Sequence, residues 1–316
     1  MKPSEVIWVN GEFVPWAEAK VHVLTHALHY GSSVFEGIRV YGTPDGPAAF
    51  CLDAHVRRLF DSCRMARMEL PYSREALAET ILTLVGRNGH DACYVRPIVF
   101  RGMDSLSLDP RKSPLEVAIA SFEWGRYLGP DALEEGVDVM VSSWSRIAPN
   151  THAAMAKMGG NYVNSSFVAM EAADQGFVEG IALDTQGYVS EGSGENIFLV
   201  RDGTVTTPPL ASSVLEGVTR RVVLTLCADL GIPAQEALVP REMLYVADEI
   251  FFSGTAAEIT PVRAVDRITV GAGRRGAITT RVMEAFFSVA EGRGPDPHGW
   301  LTRLHRGEFA PKVIAR

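Results

Sequence analysis

The chain has 316 residues, 47% of them hydrophobic and 22% charged, which is ordinary for a soluble globular protein and long enough for about two domains. A formal net charge of -8 gives no basic footprint for nucleic acid or an anionic membrane, so small-molecule chemistry is the default expectation. Cys51, Cys63, Cys93 and Cys227 stand far apart without a C-x-x-C pair, which suggests neither a zinc knuckle nor a disulfide framework and fits reduced thiols in the cytoplasm.

Residues 5–16 read as a hairpin, two short apolar runs joined by Asn10-Gly11. The longest run without Asp, Glu, Lys or Arg, residues 21–35, is shorter than the roughly 18 residues of a membrane span and holds three histidines. His22, His26 and His29 could share a helical face as metal ligands, but no carboxylate or thiolate accompanies them; local hydrogen bonding is the favoured role and no metal is expected. A strand is expected over residues 33–41 and a short returning strand over 48–52. Asp53 is placed to cap a helix over 54–66 with Val56, Leu59, Phe60 and Cys63 inward. A second helix over 73–85 and strands at 93–100 and 115–122 complete an α+β domain, with the boundary set near residue 128. The remaining residues, 129–316, make the larger domain. There the pattern predicts strands at 137–142, 179–184, 188–190, 196–200 and 248–252, and helices at 161–173, 217–230 and 277–289. The Pro- and Arg-rich tail carries weak structural signals.

Between Arg146 and Glu171 the only side chain charged at neutral pH is Lys157, in Ala156-Lys157-Met158-Gly159-Gly160-Asn161-Tyr162. Burial there would favour a neutral amine, the form that attacks carbonyls; taken alone, the segment fits better a lysine whose stem lies on apolar surface. Two further stretches carry polar turns: Ser190-Glu191-Gly192-Ser193-Gly194-Glu195-Asn196, and Leu215-Glu216-Gly217-Val218-Thr219-Arg220, whose glycine at a helix start suits a phosphate or an ordinary cap.

Together with His26-Ala27-Leu28-His29-Tyr30-Gly31, Val34 to Arg39, Tyr94-Val95-Arg96-Pro97 and Ser253-Gly254-Thr255-Ala256-Ala257-Glu258, these stretches stand in one order over nearly the whole chain. In that order the chain resembles the branched-chain amino acid aminotransferases, pyridoxal-phosphate enzymes of fold-type IV. The resemblance implies a mixed α/β fold of two domains: a small N-terminal α/β sandwich, residues 1–128, and a larger cofactor-binding domain, 129–316, with a β-barrel-like core.

It also implies roles. Lys157 would hold pyridoxal 5'-phosphate covalently and carry the catalytic proton. Glu191 would bond the pyridine nitrogen and Asn196 would support its turn; Tyr162 would donate to the ring's phenolate oxygen; Leu215 would pack on the ring. Arg58, with Arg57 as fallback, would grip the phosphate bidentately, aided by Gly217, by the N–H groups of Val218 and Thr219, and by the Thr255 hydroxyl. Around the substrate would stand Tyr30, Phe35, Gly37, Trp124, Tyr127 and Ala256, with Tyr94 near the α-carboxylate and Arg96 meeting the distal carboxylate of glutamate. Core packing is an equal reading for Trp124 and Tyr127.

Residues 104–108, Asp-Ser-Leu-Ser-Leu, depart from the glycine-containing loop of familiar bacterial members, and Leu108 would line the pocket there. The expected reaction is reversible transfer of the amino group from leucine, isoleucine or valine to 2-oxoglutarate. The alternatives on the same fold are a D-amino acid or (R)-amine transaminase, an aminodeoxychorismate lyase, or a cofactor-binding protein without turnover. The resemblance further implies a homo-oligomer, dimer or hexamer, with each site completed by a neighbouring chain.

Overall fold

A computed structural model describes residues 2–125 and 132–304. The expected boundary at residue 128 and the tail from residue 305 lie outside them. The chain forms two compact units, and the division takes more than one cut. Ala156–Gly160 and the chain from Ser288 onward belong with the residues up to Trp124, whereas Gly125–Met155 and Asn161–Phe287 make the second unit. The lysine segment, expected in the C-terminal domain, therefore sits in the first unit.

In the first unit the strands are β1 (Val6–Val9), β2 (Glu12–Pro15), β3 (Ser33–Phe35), β4 (Ile38–Thr43), β5 (Gly46–Phe50), β6 (Cys93–Arg101) and β7 (Leu115–Phe122). Asn10 and Gly11, both at positive φ, make the β1–β2 turn as the dipeptide predicted. The expected single strand at 33–41 is broken at Glu36 and Gly37: β3 and β4 both pair with β6, and the interruption turns the Glu36 side chain into the protein. Helix Leu52–Met65 starts one residue before Asp53. Cys51, at φ 52, occupies the cap position without a side-chain bond, and Asp53 lies in the first turn instead. Ser73 does cap helix Arg74–Arg87, accepting from the Ala76 N–H at 3.1 Å. Leu59, Cys63, Leu77, Ile81, Leu84 and Val85 from these two helices pack with Ile38, Val95, Val99 and Ile119 of the sheet in one core.

The second unit's strands are β8 (Val137–Val141), β9 (Glu179–Leu183), β10 (Val189–Gly192), β11 (Asn196–Arg201), β12 (Thr204–Thr207), β13 (Ala234–Glu236), β14 (Glu249–Gly254), β15 (Glu258–Val265) and β16 (Ile268–Thr269). Their order is β10-β9-β8-β15-β14-β11-β12-β13, with β16 on β15. In a flat sheet β10 and β11 would be five strand spacings apart, about 24 Å, yet only Ser193–Glu195 join them, a link that reaches about 14 Å at most. The sheet must curl, as the barrel-like expectation required. Helix Tyr162–Asp174 makes the crossover between the parallel β8 and β9. It lies so close that a Cβ on Gly180 would fall 2.7 Å from Val168 Cγ1.

One further strand, β17 (Leu301–Arg303), comes from the tail and pairs with β5 in the first unit. Residues 204–207, 234–236 and 258–265 were not foreseen as strands either. No helix among the described residues is long and apolar enough to cross a membrane, and the four cysteines are buried and in no disulfide.

Candidate active site

In the first unit Lys157 is half-buried and its backbone is fixed on both sides. Its N–H donates to Ser62 Oγ at 3.0 Å, and its carbonyl accepts from the Phe35 N–H at 3.0 Å. Met158 bridges to Val34. The two glycines that follow permit this packing: a Cβ on Gly159 would run into Ser33 Oγ, and one on Gly31, itself at φ +63, would fall 2.8 Å from the Gly160 Cα. Lys157 Nζ lies 4.9 Å from the centre of the Phe35 ring.

Arg58 sits one turn after His55 on helix Leu52–Met65, and both meet the fully buried Glu36. Arg58 Nε and Nη2 donate to the two Glu36 oxygens at 2.6 and 2.9 Å, and His55 Nδ1 bonds Oε2 at 2.8 Å. Burial alone would push the Glu36 carboxyl up, but the Arg58 guanidinium and the His55 bonds overcome it and hold the group well below the usual carboxylate range. His55 is pushed down by burial despite Glu36, with the charges of Arg58 and Lys157 acting the same way. The ring is therefore neutral, and Arg58 is the cation that matters to Glu36. The guanidinium fork expected for a phosphate thus spans a carboxylate.

Phe35, Tyr94, Trp124 and Arg96 form one cluster. Trp124 stands edge-on to Tyr94 with centroids 4.7 Å apart. The Arg96 guanidinium lies 4.8 Å from the Phe35 ring centre and 5.4 Å from that of Tyr94, and its buried Nε has no hydrogen-bond partner. Gly37 faces the Tyr94 hydroxyl so closely that a Cβ would occupy the same space. Gly37→Ala is therefore expected to displace that buried ring and cost about 1–3 kcal/mol, read as a lowered Tm in thermal unfolding.

Tyr30 and Leu108 stand apart from this cluster's burial, 48% and 81% exposed. Tyr30 reaches the loop through its hydroxyl, 3.3 Å from the Leu106 carbonyl. The loop itself is held without glycine: Ser113 Oγ donates to the Ser105 carbonyl at 2.9 Å, and His26 bonds Ser107 O at 2.9 Å and Ser32 Oγ at 2.7 Å. His29 bonds the Val23 carbonyl, and His22 accepts from the Leu24 N–H. All three histidines have local partners of the kind expected. Tyr127 lies outside the described residues.

In the second unit Glu191 is buried at a bulge in β10. Its Oε1 lies 2.7 Å from Arg146 Nη2; its Oε2 accepts from Asn196 Nδ2 at 3.1 Å and from the Leu215 N–H at 3.0 Å. Asn196 Nδ2 also reaches the Leu215 carbonyl at 3.0 Å, and a Cβ on Gly217 would collide with Asn196 Oδ1. Glu191, Asn196, Leu215 and Gly217, distant in sequence, are thereby brought together. Gly217 precedes helix Val218–Asp229, whose start has no side-chain cap, with Val218 and Thr219 in its first turn. Tyr162 opens helix Tyr162–Asp174, and Thr255 and Ala256 form the half-buried turn between β14 and β15.

Residues 33–265 match the model of the amino-transferase class IV family. The chain belongs to the class IV aminotransferases. It is 49% identical over 306 residues to the branched-chain-amino-acid aminotransferase of Escherichia coli (strain K12), covering 96% of this chain and 99% of that protein. A crystal structure of the E. coli branched-chain amino acid aminotransferase superposes with a TM-score of 0.94 at 49% identity, covering 96% of this chain and all of that one. A branched-chain amino acid aminotransferase from T.th., complexed with N-(5'-phosphopyridoxyl)-L-glutamate, gives a TM-score of 0.91 at 46% identity, over 96% and 99% of the two chains. The family and the fold named from the sequence are those the chain has.

Three participants were missed in the sequence: Glu36, His55 and Arg146. The first two had a signal, a carboxylate inside the Phe35-Glu36-Gly37 run and a histidine three residues before Arg58. Arg146 had only its place as the last charge before the neutral run that holds Lys157.

Proposed function

We infer that this class IV aminotransferase uses pyridoxal 5'-phosphate to exchange amino groups between branched-chain L-amino acids and 2-oxoglutarate, forming the branched 2-oxo acids and L-glutamate. The observation that carries the reading is the near full-length likeness, at about half identity, to a protein named for the branched-chain activity. The relative solved with a phosphopyridoxyl-glutamate adduct supports both the cofactor and the acidic co-substrate.

The residues present fit that cofactor. The uncapped start of helix Val218–Asp229 offers N–H groups to a phosphate, and the glycine before it leaves no side chain in the way. Glu191 is a buried acceptor fixed from three sides, suited to a ring N–H. When bound, pyridoxal phosphate supplies the aldehyde that bonds amines and the protonated ring that draws electron density from the α-carbon. Lys157 Nζ holds the cofactor, then takes the proton from the substrate α-carbon and returns one. Glu191 would keep the ring nitrogen protonated, Tyr162 would bond the ring hydroxyl, Leu215 would cover a ring face, and Arg58, Thr255 and the helix N–H groups would hold the phosphate. Asn196 keeps Glu191 in register with Leu215.

Phe35, Gly37, Tyr94, Trp124 and Ala256 receive the branched side chain and the α-carboxylate. Arg96, with its unpartnered Nε, answers the distal carboxylate of glutamate. The exposed Tyr30 and Leu108, among neighbours such as Val23 and Leu28 at 73% and 63% exposure, support a homo-oligomer in which a second chain covers this face. Four buried cysteines, none in a disulfide, accord with a cytoplasmic setting. Assays with L-leucine, D-alanine and an (R)-amine, each with 2-oxoglutarate, test the reading. L-leucine should be favoured by a kcat/KM on the order of 10³-fold or more; absence of turnover with L-leucine sinks it.

A further inference from the structure

Two more carboxyls lie at the turn that follows Glu191, one in it and one on the neighbouring strand β9. Glu195 is 4% exposed and Glu179, on β9, is 2% exposed, and they hydrogen-bond each other. Two buried carboxyls in contact cannot both be ionised. Their other partners show which one keeps the proton. Glu179 takes three donors, the Gly180 N–H at 2.6 Å, the Ser193 N–H at 3.2 Å and Ser193 Oγ at 2.8 Å, whereas Glu195 accepts the Gly194 N–H alone, at 3.1 Å. The charged groups acting on Glu195 are Glu179 and Glu191, both negative. From β14 it faces Gly254, and a Cβ on Gly192, beside Phe252, would fall 2.8 Å from its Oε2.

We propose that Glu195 is a neutral carboxylic acid donating its proton to the Glu179 carboxylate, and that this bond makes Glu195 a positioning residue for Glu191. The donated proton ties β9 to the Gly192–Glu195 turn, and Gly192 follows Glu191 directly on β10. Burial first, then the Glu179 charge, pushes the Glu195 carboxyl well up, and Glu179 is itself raised by burial. The folded chain therefore holds a proton that the unfolded chain loses near the ordinary glutamate value of 4.5, and stability falls as pH rises from there toward the folded value. The positioning role rests on the reading of Glu191 as the ring-nitrogen partner.

The test compares Glu195→Gln, whose amide can still donate to Glu179, with Glu195→Leu, which cannot. Infrared difference spectra at neutral pH, without cofactor, should show a protonated-carboxyl C=O band in the wild type that Glu195→Gln removes. Thermal unfolding against pH should lose the falling limb in Glu195→Gln. In the holoenzyme Glu195→Leu should lower kcat on the order of 10- to 100-fold and perturb the cofactor absorption, and Glu195→Gln should rescue both. Absence of the band in the wild type, its survival in Glu195→Gln, or a Gln variant as impaired as the Leu variant overturns the proposal. A wild type that shows the band but takes up no pyridoxal phosphate would instead overturn the functional reading and leave the shared proton standing.

Discussion

Lys157→Arg is expected to abolish transamination while leaving the protein folded. Arginine keeps a cation of similar reach, so the contact over the Phe35 ring survives, and the backbone bonds to Ser62 and Phe35 do not involve the side chain. A guanidinium cannot give up its proton at any accessible pH, so it neither attacks the cofactor carbonyl nor accepts the α-proton. Loss of the nucleophile and of the general base together should lower kcat by at least about 10⁴-fold. Tm should move by no more than about 2–4 °C, the response to roughly 1 kcal/mol in a chain of this size. Borohydride treatment followed by mass spectrometry should find the cofactor attached to the Lys157 peptide in the wild type and nowhere in the variant. A variant within tenfold of wild-type kcat would remove Lys157 from the chemistry.

What could be read from the sequence follows from where the physical signal is local. The Asn10-Gly11 turn and the helical pattern over residues 73–85 are short-range, and each appears in the structure as expected. Strand β15 was unreadable for a local reason, because Pro261 argues against a strand paired on both sides, as this one is with β14 and β8. Strand β17 has three residues and exists only because β5 offers an edge. The motifs revealed which residues matter but not whom they meet. Arg58 looked like a phosphate ligand, and nothing in its own helix announces that Glu36, 22 positions earlier, takes its fork. The lysine segment shows the same limit: its glycines are visible in the sequence, but Gly31, against which Gly160 packs, is far removed along the chain.

Arg146 and Glu191 supply the other large effect, and here stability and activity should separate. Their side chains are 6% and 7% exposed, so Glu191→Ala strands a guanidinium whose Nη1 keeps Asn164 and Ser165 but whose Nη2 loses its carboxylate. Breaking one side of a buried pair costs about 3–5 kcal/mol, and the same change frees Asn196 Nδ2 and the Leu215 N–H from their acceptor. Tm should fall by roughly 6–20 °C at about 2–4 °C per kcal/mol, and kcat on the order of 10³-fold if Glu191 is the partner of the ring nitrogen as proposed. Removing both charges, Glu191→Ala with Arg146→Met, should recover most of the lost Tm, since the desolvated cation is gone, and none of the activity. If the double variant regains activity along with stability, Glu191 serves only to neutralise Arg146. If it regains neither, the fold depends on the pair itself.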